Sequence, residues 1–192
     1  MRRTHGKAHP DQARAAAAGA GGIFARLEAL RRGSGEGERA GRAVARARTG
    51  DRLHQRQPKA VETAEILAAA LGVPHEVAAD LHEHDRSNVP QMPTREFISS
   101  VALFFKRPTE LVLGRETAEQ ARRRMTVAMD RILSANEGRD VAVVTHGTVL
   151  ALYLAPLLEG DEFDLWRRLG LPSYVVLDAE KMEAIETVER VE

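Results

Sequence analysis

The feature that most constrains the fold of this chain is a short apolar run late in the sequence, Val141–Thr145. An unbroken apolar run of this length is typical of a strand buried on both faces of a sheet. It leads through His146-Gly147 into a helix predicted at about 148–158. A buried strand that passes directly into a helix is typical of α/β proteins, in which helices pack against the sheet.

Predicted helices and strands alternate over the rest of the chain after Gln57. The clearest helix is predicted at 59–71, where apolar residues recur with a period near 3.6 and Gly72 ends the pattern. Further helices are predicted from Thr94 up to Pro108, at about 116–135 and at 163–169, and strands at about 75–78, 174–177 and 184–188, the last two joined by a turn. This alternation predicts a three-layer α/β/α sandwich around a mainly parallel sheet.

Residues 1–56 differ sharply in composition from residues 57–192. They contain 13 of the 28 basic residues, 5 of the 28 acidic residues and 9 of the 15 glycines, so their net charge is +8 against −8 for the remainder. Large apolar side chains are too few to offset the entropy of ordering fifty residues. We therefore expect an atypical basic stretch at 1–56, in which residues 13–56 are poorly ordered or weakly helical around 23–30 and supply no central strand, followed by a folded domain at 57–192.

Composition also excludes several classes of protein. Cysteine is absent, which excludes disulfides, thiol catalysis and cysteine-held metal sites. No run approaches the eighteen apolar residues that a transmembrane helix needs, so no membrane partner is expected. The basic first residues are not followed by the apolar stretch of a secretory signal, so we expect a cytoplasmic protein.

The strongest candidate for chemistry is the corner that His146 begins. A histidine here follows the carboxyl end of a buried strand, where open α/β sheets bind their ligands. Gly147 permits a tight turn, and the first N–H groups of the helix at Gly147 and Thr148 can face an anion. The pattern indicates a phosphate-binding corner with a titratable group, although a loop histidine without a role fits the local pattern equally well.

Potential ligands are also concentrated in the segment Leu81-His82-Glu83-His84-Asp85-Arg86. A metal site is disfavoured, because neighbouring residues of an extended chain point to opposite faces and no third ligand has a suitable spacing. Glu83 could act as a general acid or base if this loop folds over the His146 corner. A solvated loop without a role is the alternative.

Two cationic or titratable residues nearer the N-terminus carry weaker signals. Lys59 lies in the first turn of a predicted helix, where the helix dipole disfavours a cation. It could therefore contact a bound phosphate, or it could simply be exposed to solvent. His5 precedes a glycine, as His146 does, but an isolated His-Gly pair most simply indicates an unstructured terminal histidine.

Taken in order, these segments resemble the histidine phosphatase superfamily, which has the phosphoglycerate mutase-like fold. The resemblance extends from about Gln57 to the C-terminus, and its motifs are Lys59-Ala60-Val61-Glu62-Thr63-Ala64, Leu81-His82-Glu83, Gly114-Arg115-Glu116-Thr117 and Val144-Thr145-His146-Gly147. The resemblance implies a phosphatase or mutase of small phosphorylated metabolites that needs neither metal nor cofactor.

The same resemblance implies a role for each site residue. His5 would be the nucleophile that becomes phosphohistidine, and His146 the second histidine. The phosphate would be bound by Arg3 and Lys59, together with Gly147 and Thr148 at the helix start. Glu83 would protonate the leaving alkoxide. The specificity loop would lie within 85–108, and neither the substrate nor the oligomeric state follows from the sequence.

The N-terminal stretch departs from the family pattern. The apolar first strand is missing, and Arg3 stands two residues before His5 rather than one. One hypothesis is an off-frame segment between about Gln12 and Gln57, and the other is a diverged member that has lost activity and binds a partner through its basic arm. Nucleic acid is a disfavoured partner, because Phe24 is the only aromatic residue of the arm.

Overall fold

The computed structural model of the chain describes residues 23–28, 42–44 and 58–190. The helices in these residues are α1 (Pro58–Leu71), α2 (Thr94–Lys106), α3 (Ala118–Ala135), α4 (Gly147–Leu154) and α5 (Glu162–Arg168). The strands are β1 (Ile23–Glu28), β2 (Arg42–Val44), β3 (His75–Glu76), β4 (Val141–Thr145), β5 (Ser173–Asp178) and β6 (Glu183–Val188).

The six strands form one mixed sheet in the order β3-β2-β4-β1-β5-β6. Pairing is parallel for β2 with β3, β2 with β4 and β1 with β5, and antiparallel for β1 with β4 and β5 with β6. Three of the five strand pairs are therefore parallel, and the sheet as a whole is mixed. The short turn between β5 and β6 can join only antiparallel neighbours, and β1, which runs with β5, runs against β4.

The expectation that residues 13–56 supply no central strand is wrong for two segments. Ile23–Glu28, where weak helix was predicted, is a strand that pairs with both β4 and β5, and Arg42–Val44 pairs with β3 and β4. The physical reason is that a central strand forms by hydrogen bonding to a partner strand on each edge. The composition of a segment does not show whether distant strands offer such partners. The remainder of 1–56 lies outside the described residues, so its lack of order stays a prediction.

Helices pack on both faces of the sheet. Alternate residues of β4 point to opposite sides. Val141 and Val143 belong to the larger buried cluster with α2, α3, α4 and α5, whereas Ala142 and Val144 pack in a smaller cluster with α1. The whole of β4 is buried, as its unbroken apolar run predicted. Its carboxyl end is therefore held rigidly between two apolar layers.

Helix α3 begins where its sequence predicted and for a local reason. The Thr117 hydroxyl accepts a hydrogen bond from the Gln120 N–H at 3.1 Å, and the Gln120 amide oxygen accepts one from the Thr117 N–H at 2.8 Å. This reciprocal capping box satisfies two N–H groups that a helix start leaves unpaired. The apolar face of α3, which includes Ala121 and Met125, is fully buried. The cap and this packing set the position of the Glu116 and Arg124 side chains described below.

Candidate active site

The corner between β4 and α4 brings two distant segments together. His146 is the N-cap residue of α4, and its backbone is extended, with φ −128° and ψ 159°. The Thr145 hydroxyl donates to the carbonyl oxygen of Leu81 at 2.8 Å, and the Thr148 N–H donates to the Glu83 carboxylate at 3.2 Å. The loop after Leu81 therefore does fold over the His146 corner, the condition on which the sequence-based role of Glu83 depends.

The Glu83 carboxylate is oriented by two backbone donors. One oxygen accepts from the N–H of His84 at 2.8 Å, and the other accepts from the N–H of Thr148. The Arg86 guanidinium lies 3.5 Å from this second oxygen, and only 11% of the Glu83 side chain is exposed. A carboxylate at the first turn of α4 shows that this helix end accepts negative charge, as helix N-termini do.

The His146 imidazole is neutral near neutral pH. Burial is the main cause that lowers the pKa of His146 below 6.5, and the positive charges of Arg124 and Arg86 lower it further. The Glu83 carboxylate opposes this shift in the pKa. A neutral imidazole has one nitrogen that donates and one that accepts a hydrogen bond. His146 can therefore donate to an oxygen bound at the α4 N-terminus without carrying a full charge.

An arginine of α3 holds the loop that carries Glu83. The guanidinium of Arg124 donates to both carboxylate oxygens of Glu116, at 3.2 and 2.7 Å. It also donates to the backbone carbonyls of Asp80 and His82, at 2.8 and 2.9 Å. Both charged side chains are largely buried, with 14% and 16% exposed. A bidentate pair of this kind fixes geometry, so Arg124 clamps the chain on either side of Leu81.

The loop is also shaped by close packing between His84 and Gly114. His84 is buried and its ring stacks on Phe104, with the ring centroids 4.3 Å apart. Gly114 has φ +77°, and a Cβ atom there would collide with the carbonyl oxygen of Asp85 and the ring of His84. Only glycine adopts this backbone conformation freely and admits such an approach. Gly114 therefore lets the segment before α3 lie directly against the loop after Glu83.

The two histidines that flank Glu83 lie in different environments. His82 is exposed, whereas His84 is buried against Phe104. In the part of the chain that the structure describes, no group of three potential metal-ligating side chains comes together.

The buried His84 ring predicts that acid destabilises the protein. Burial and the nearby charge of Arg86 lower the pKa of His84 below 6.5. Its Nε2 atom lies 3.2 Å from the Glu116 carbonyl oxygen and its Nδ1 atom has no described partner, so a second ring proton would be buried without an acceptor. The unfolded chain takes up this proton more readily. The contribution of neutral His84 to the free energy of unfolding is therefore complete above pH 6.5. It is lost as the pH falls towards the lowered pKa of His84 in the folded state.

We expect the Tm of the protein to fall between about pH 7 and pH 5, and to fall less steeply in His84→Phe, which keeps the ring stacking. His146 contributes in the same direction, so some slope remains. Thermal unfolding followed by circular dichroism at several pH values measures this, with His75→Phe at the exposed strand β3 as the control. If His84→Phe left the slope of Tm against pH unchanged, His84 would not be the cause of the destabilisation by acid.

The structure brings together only part of the set that the sequence singled out. His146, Glu83, Gly147 and Thr148 meet at the β4–α4 corner. The backbone of Lys59 lies in the first turn of α1, but its side chain is outside the described part of the structure. His5 and Arg3 also lie outside the described residues, so their roles stay predictions. Arg86 stands in the segment that the sequence singled out but was given no role there, and Arg124 was not predicted as a site residue, its nearest signal being the Gly114–Thr117 motif before α3.

The fold and the corner together define a class of protein. It is an α/β protein with an anion-accepting helix start beside a buried carboxylate and a neutral histidine. Residues 30–186 match the family model of the histidine phosphatase superfamily (branch 1), well over half of the chain. The chain therefore belongs to the histidine phosphatase superfamily, and its helices and sheet are compatible with the phosphoglycerate mutase-like α/β fold which that membership implies.

This match begins earlier than the sequence motifs indicated. Its first residue is 30, whereas the motifs placed the start of the resemblance at about Gln57. No curated protein matches the chain. Among the described helices, none combines the length and the apolar character that crossing a membrane requires.

Proposed function

We propose that the chain transfers phosphoryl groups from small phosphomonoesters to water, or between positions of one metabolite, through a phosphohistidine intermediate. The observation that carries this proposal is the Glu83 carboxylate, which contacts the first turn of α4 beside His146. An anion-accepting helix start next to a proton carrier and a neutral histidine suits phosphoryl transfer, which depends mainly on positioning and charge stabilisation. Superfamily membership supports a function of this type.

Each residue has a defined part in the proposed reaction. A ring nitrogen of His5 attacks phosphorus, and the ester P–O bond breaks as the N–P bond forms. His146 and the N–H group at Gly147 donate to the oxygens of the transferring group, and the Thr148 N–H joins them when the Glu83 side chain turns from it towards the leaving alcohol. Protonated Glu83 gives its proton to the leaving alkoxide. The carboxylate then takes a proton from water, which attacks phosphohistidine and releases phosphate.

In the proposed reaction the protein itself stabilises the charge of the transferring phosphoryl group. Lys59 and Arg3 are the cations proposed to contact the phosphate, in addition to the start of α4. Cationic side chains and preorganised N–H groups can together stabilise the charge of a transferring phosphoryl group. No step of the proposed reaction requires a metal or an organic cofactor.

Detection of the covalent intermediate tests the proposal. Incubation of the full chain with p-nitrophenyl phosphate, followed by a rapid quench, should give a protein phosphate that is labile in acid and stable in base. His5→Ala should lose both the protein phosphate and the turnover, because no other residue is proposed to attack phosphorus. His75→Ala, which alters a histidine at the exposed strand β3, should retain both. Turnover that persists in His5→Ala would contradict the mechanism.

The basic charge of residues 1–56 supports a second candidate function. A net charge of +8 in this stretch would suit a catalytically impaired member that binds an acidic partner. Two segments of the stretch are strands of the sheet, which leaves less of it as a free arm. Salt-dependent retention on heparin without turnover of p-nitrophenyl phosphate would favour this candidate over the enzyme.

A further inference from the structure

Arg86 stands at the edge of the candidate site with few partners. Its guanidinium lies 3.5 Å from a Glu83 oxygen and its Cζ atom is 5.3 Å from the centre of the Phe97 ring. The Arg86 side chain is 24% exposed, about twice the 11% of Glu83. Among the described residues, its guanidinium donates no hydrogen bond within ordinary hydrogen-bond geometry. Most of its five N–H donors therefore face no described acceptor.

Glu83 does not need Arg86 in order to be oriented. The carboxylate already accepts hydrogen bonds from the N–H groups of His84 and Thr148, at 2.8 and 3.2 Å. Contact with Arg86 at 3.5 Å adds charge but no further fixed geometry. Since most of its N–H donors face no acceptor among the described residues, the Arg86 guanidinium has donors available for another anion.

The ring of Phe97 supports the guanidinium from one side. Phe97 belongs to α2, and its ring centre is 6.3 Å from that of Trp166 in α5. Trp166 in turn stacks on Phe163, with the ring centres 5.9 Å apart. A guanidinium that rests on a packed aromatic ring keeps the edges of its planar fork available, and that fork matches a carboxylate or a phosphate in two hydrogen bonds.

The position of Arg86 relative to Glu83 shows which part of a substrate would reach it. In the proposed function, on which this inference rests, Glu83 protonates the oxygen of the leaving alcohol. Arg86 rests on the Phe97 ring of α2 and not on the start of α4, where the transferring phosphoryl group would bind, so a group that contacts Arg86 next to Glu83 is assigned to the leaving alcohol. We propose that Arg86 is a specificity-determining residue that binds an anionic group, a carboxylate or a second phosphate, on the leaving alcohol of the substrate.

Two matched esters test this inference. Phosphoglycolate and ethyl phosphate differ by a carboxylate in place of a methyl group. We expect kcat/KM to favour phosphoglycolate by about tenfold or more, the size of one charge-assisted hydrogen bond. In Arg86→Met kcat/KM for phosphoglycolate should fall about tenfold further than kcat/KM for ethyl phosphate, so that the preference disappears, since ethyl phosphate lacks the group that Arg86 binds. Arg86→Lys should restore part of the preference.

The matched control is Arg107→Met. Arg107 also forms an ion pair with a glutamate three residues away, at 3.0 Å to Glu110, but both side chains are exposed. Arg107→Met should leave the preference for phosphoglycolate unchanged. An equal loss on both esters in Arg86→Met would show that Arg86 acts only through Glu83, and an unchanged preference would show that it contacts neither ester. Either result overturns the inference while leaving the proposed function in place.

Absence of turnover by the wild-type chain with every ester would instead count against the proposed function. Titration calorimetry of the same two esters then tests Arg86 directly. Tighter binding of phosphoglycolate by the wild-type chain, lost in Arg86→Met and kept in Arg107→Met, would support the inference. Equal affinities of the wild-type chain for the two esters would overturn it.

Discussion

Replacing His146 by alanine should lower the turnover of p-nitrophenyl phosphate by about a hundredfold or more, the usual cost of losing one donor to the transition state. The same change should leave the fold intact. His146 caps α4 with its backbone alone and makes no side-chain capping hydrogen bond, so its ring contributes little to the stability of the helix. Steady-state kinetics and thermal unfolding of the variant measure the two effects separately.

The control for this experiment is His75→Ala, at the exposed strand β3. It should change neither turnover nor the Tm appreciably. A His146→Ala enzyme that keeps turnover within about threefold of the wild type would remove His146 from the transition state. A large loss of stability in the same variant would indicate that the histidine has a structural role.

Replacing Glu83 by glutamine should separate substrates by their leaving groups. We expect turnover of ethyl phosphate to fall by about a hundredfold or more, because an alkoxide must be protonated as it leaves. Turnover of p-nitrophenyl phosphate should fall by less than about tenfold, since nitrophenolate leaves without a proton. The amide keeps the shape of the carboxyl group and one acceptor for the N–H groups of His84 and Thr148. Kinetics with both esters give the ratio directly.

Glu110→Gln is the matched control for Glu83→Gln. Glu110 also faces an arginine three residues away in sequence, yet both partners are exposed and lie outside the candidate site. Its substitution should affect the two esters alike and only slightly. If Glu83→Gln lowered turnover of the two esters by the same factor, Glu83 would bind or support the site and would not be the proton donor.

Most helices and strands after residue 57 follow from local patterns. Helix α1 was predicted at 59–71 and spans Pro58–Leu71, and β4 spans Val141–Thr145 as predicted. The predicted hairpin near the C-terminus is present as β5 and β6. These elements could be predicted because their side-chain periodicity, apolar runs and turn residues lie within a few residues of one another.

The strands upstream of residue 57 could not be predicted in the same way. Ile23–Glu28 lies within a stretch dominated by arginine, alanine and glycine, yet it pairs with β4 and β5. The pairing depends on strands more than a hundred residues away, and β-propensity depends strongly on that context. The composition of the stretch alone therefore predicted weak helix where the structure has a strand.

The sequence predicted the site residues that stand in recognisable motifs, but not the residues that hold them in position. His146 and Glu83 stand in short patterns with a chemical reason, and the structure places them at one corner. Arg124 contacts the backbone of Asp80 and His82 across more than forty residues. A spacing of that kind has no local signature, because the contact exists only after α3 has packed against the loop.

The sequence by itself determined the class of the protein, the buried strand β4 and the order of the motifs at Glu83 and His146. Each of these depends on neighbouring residues, whose side-chain period and backbone preferences are set locally. Only the tertiary structure decided the direction of β1 in the sheet, the clamp by Arg124 and the position of the Arg86 guanidinium beside Glu83. These depend on which distant groups pack together, because buried hydrogen-bonding and charged groups require partners that the chain supplies only when it is folded.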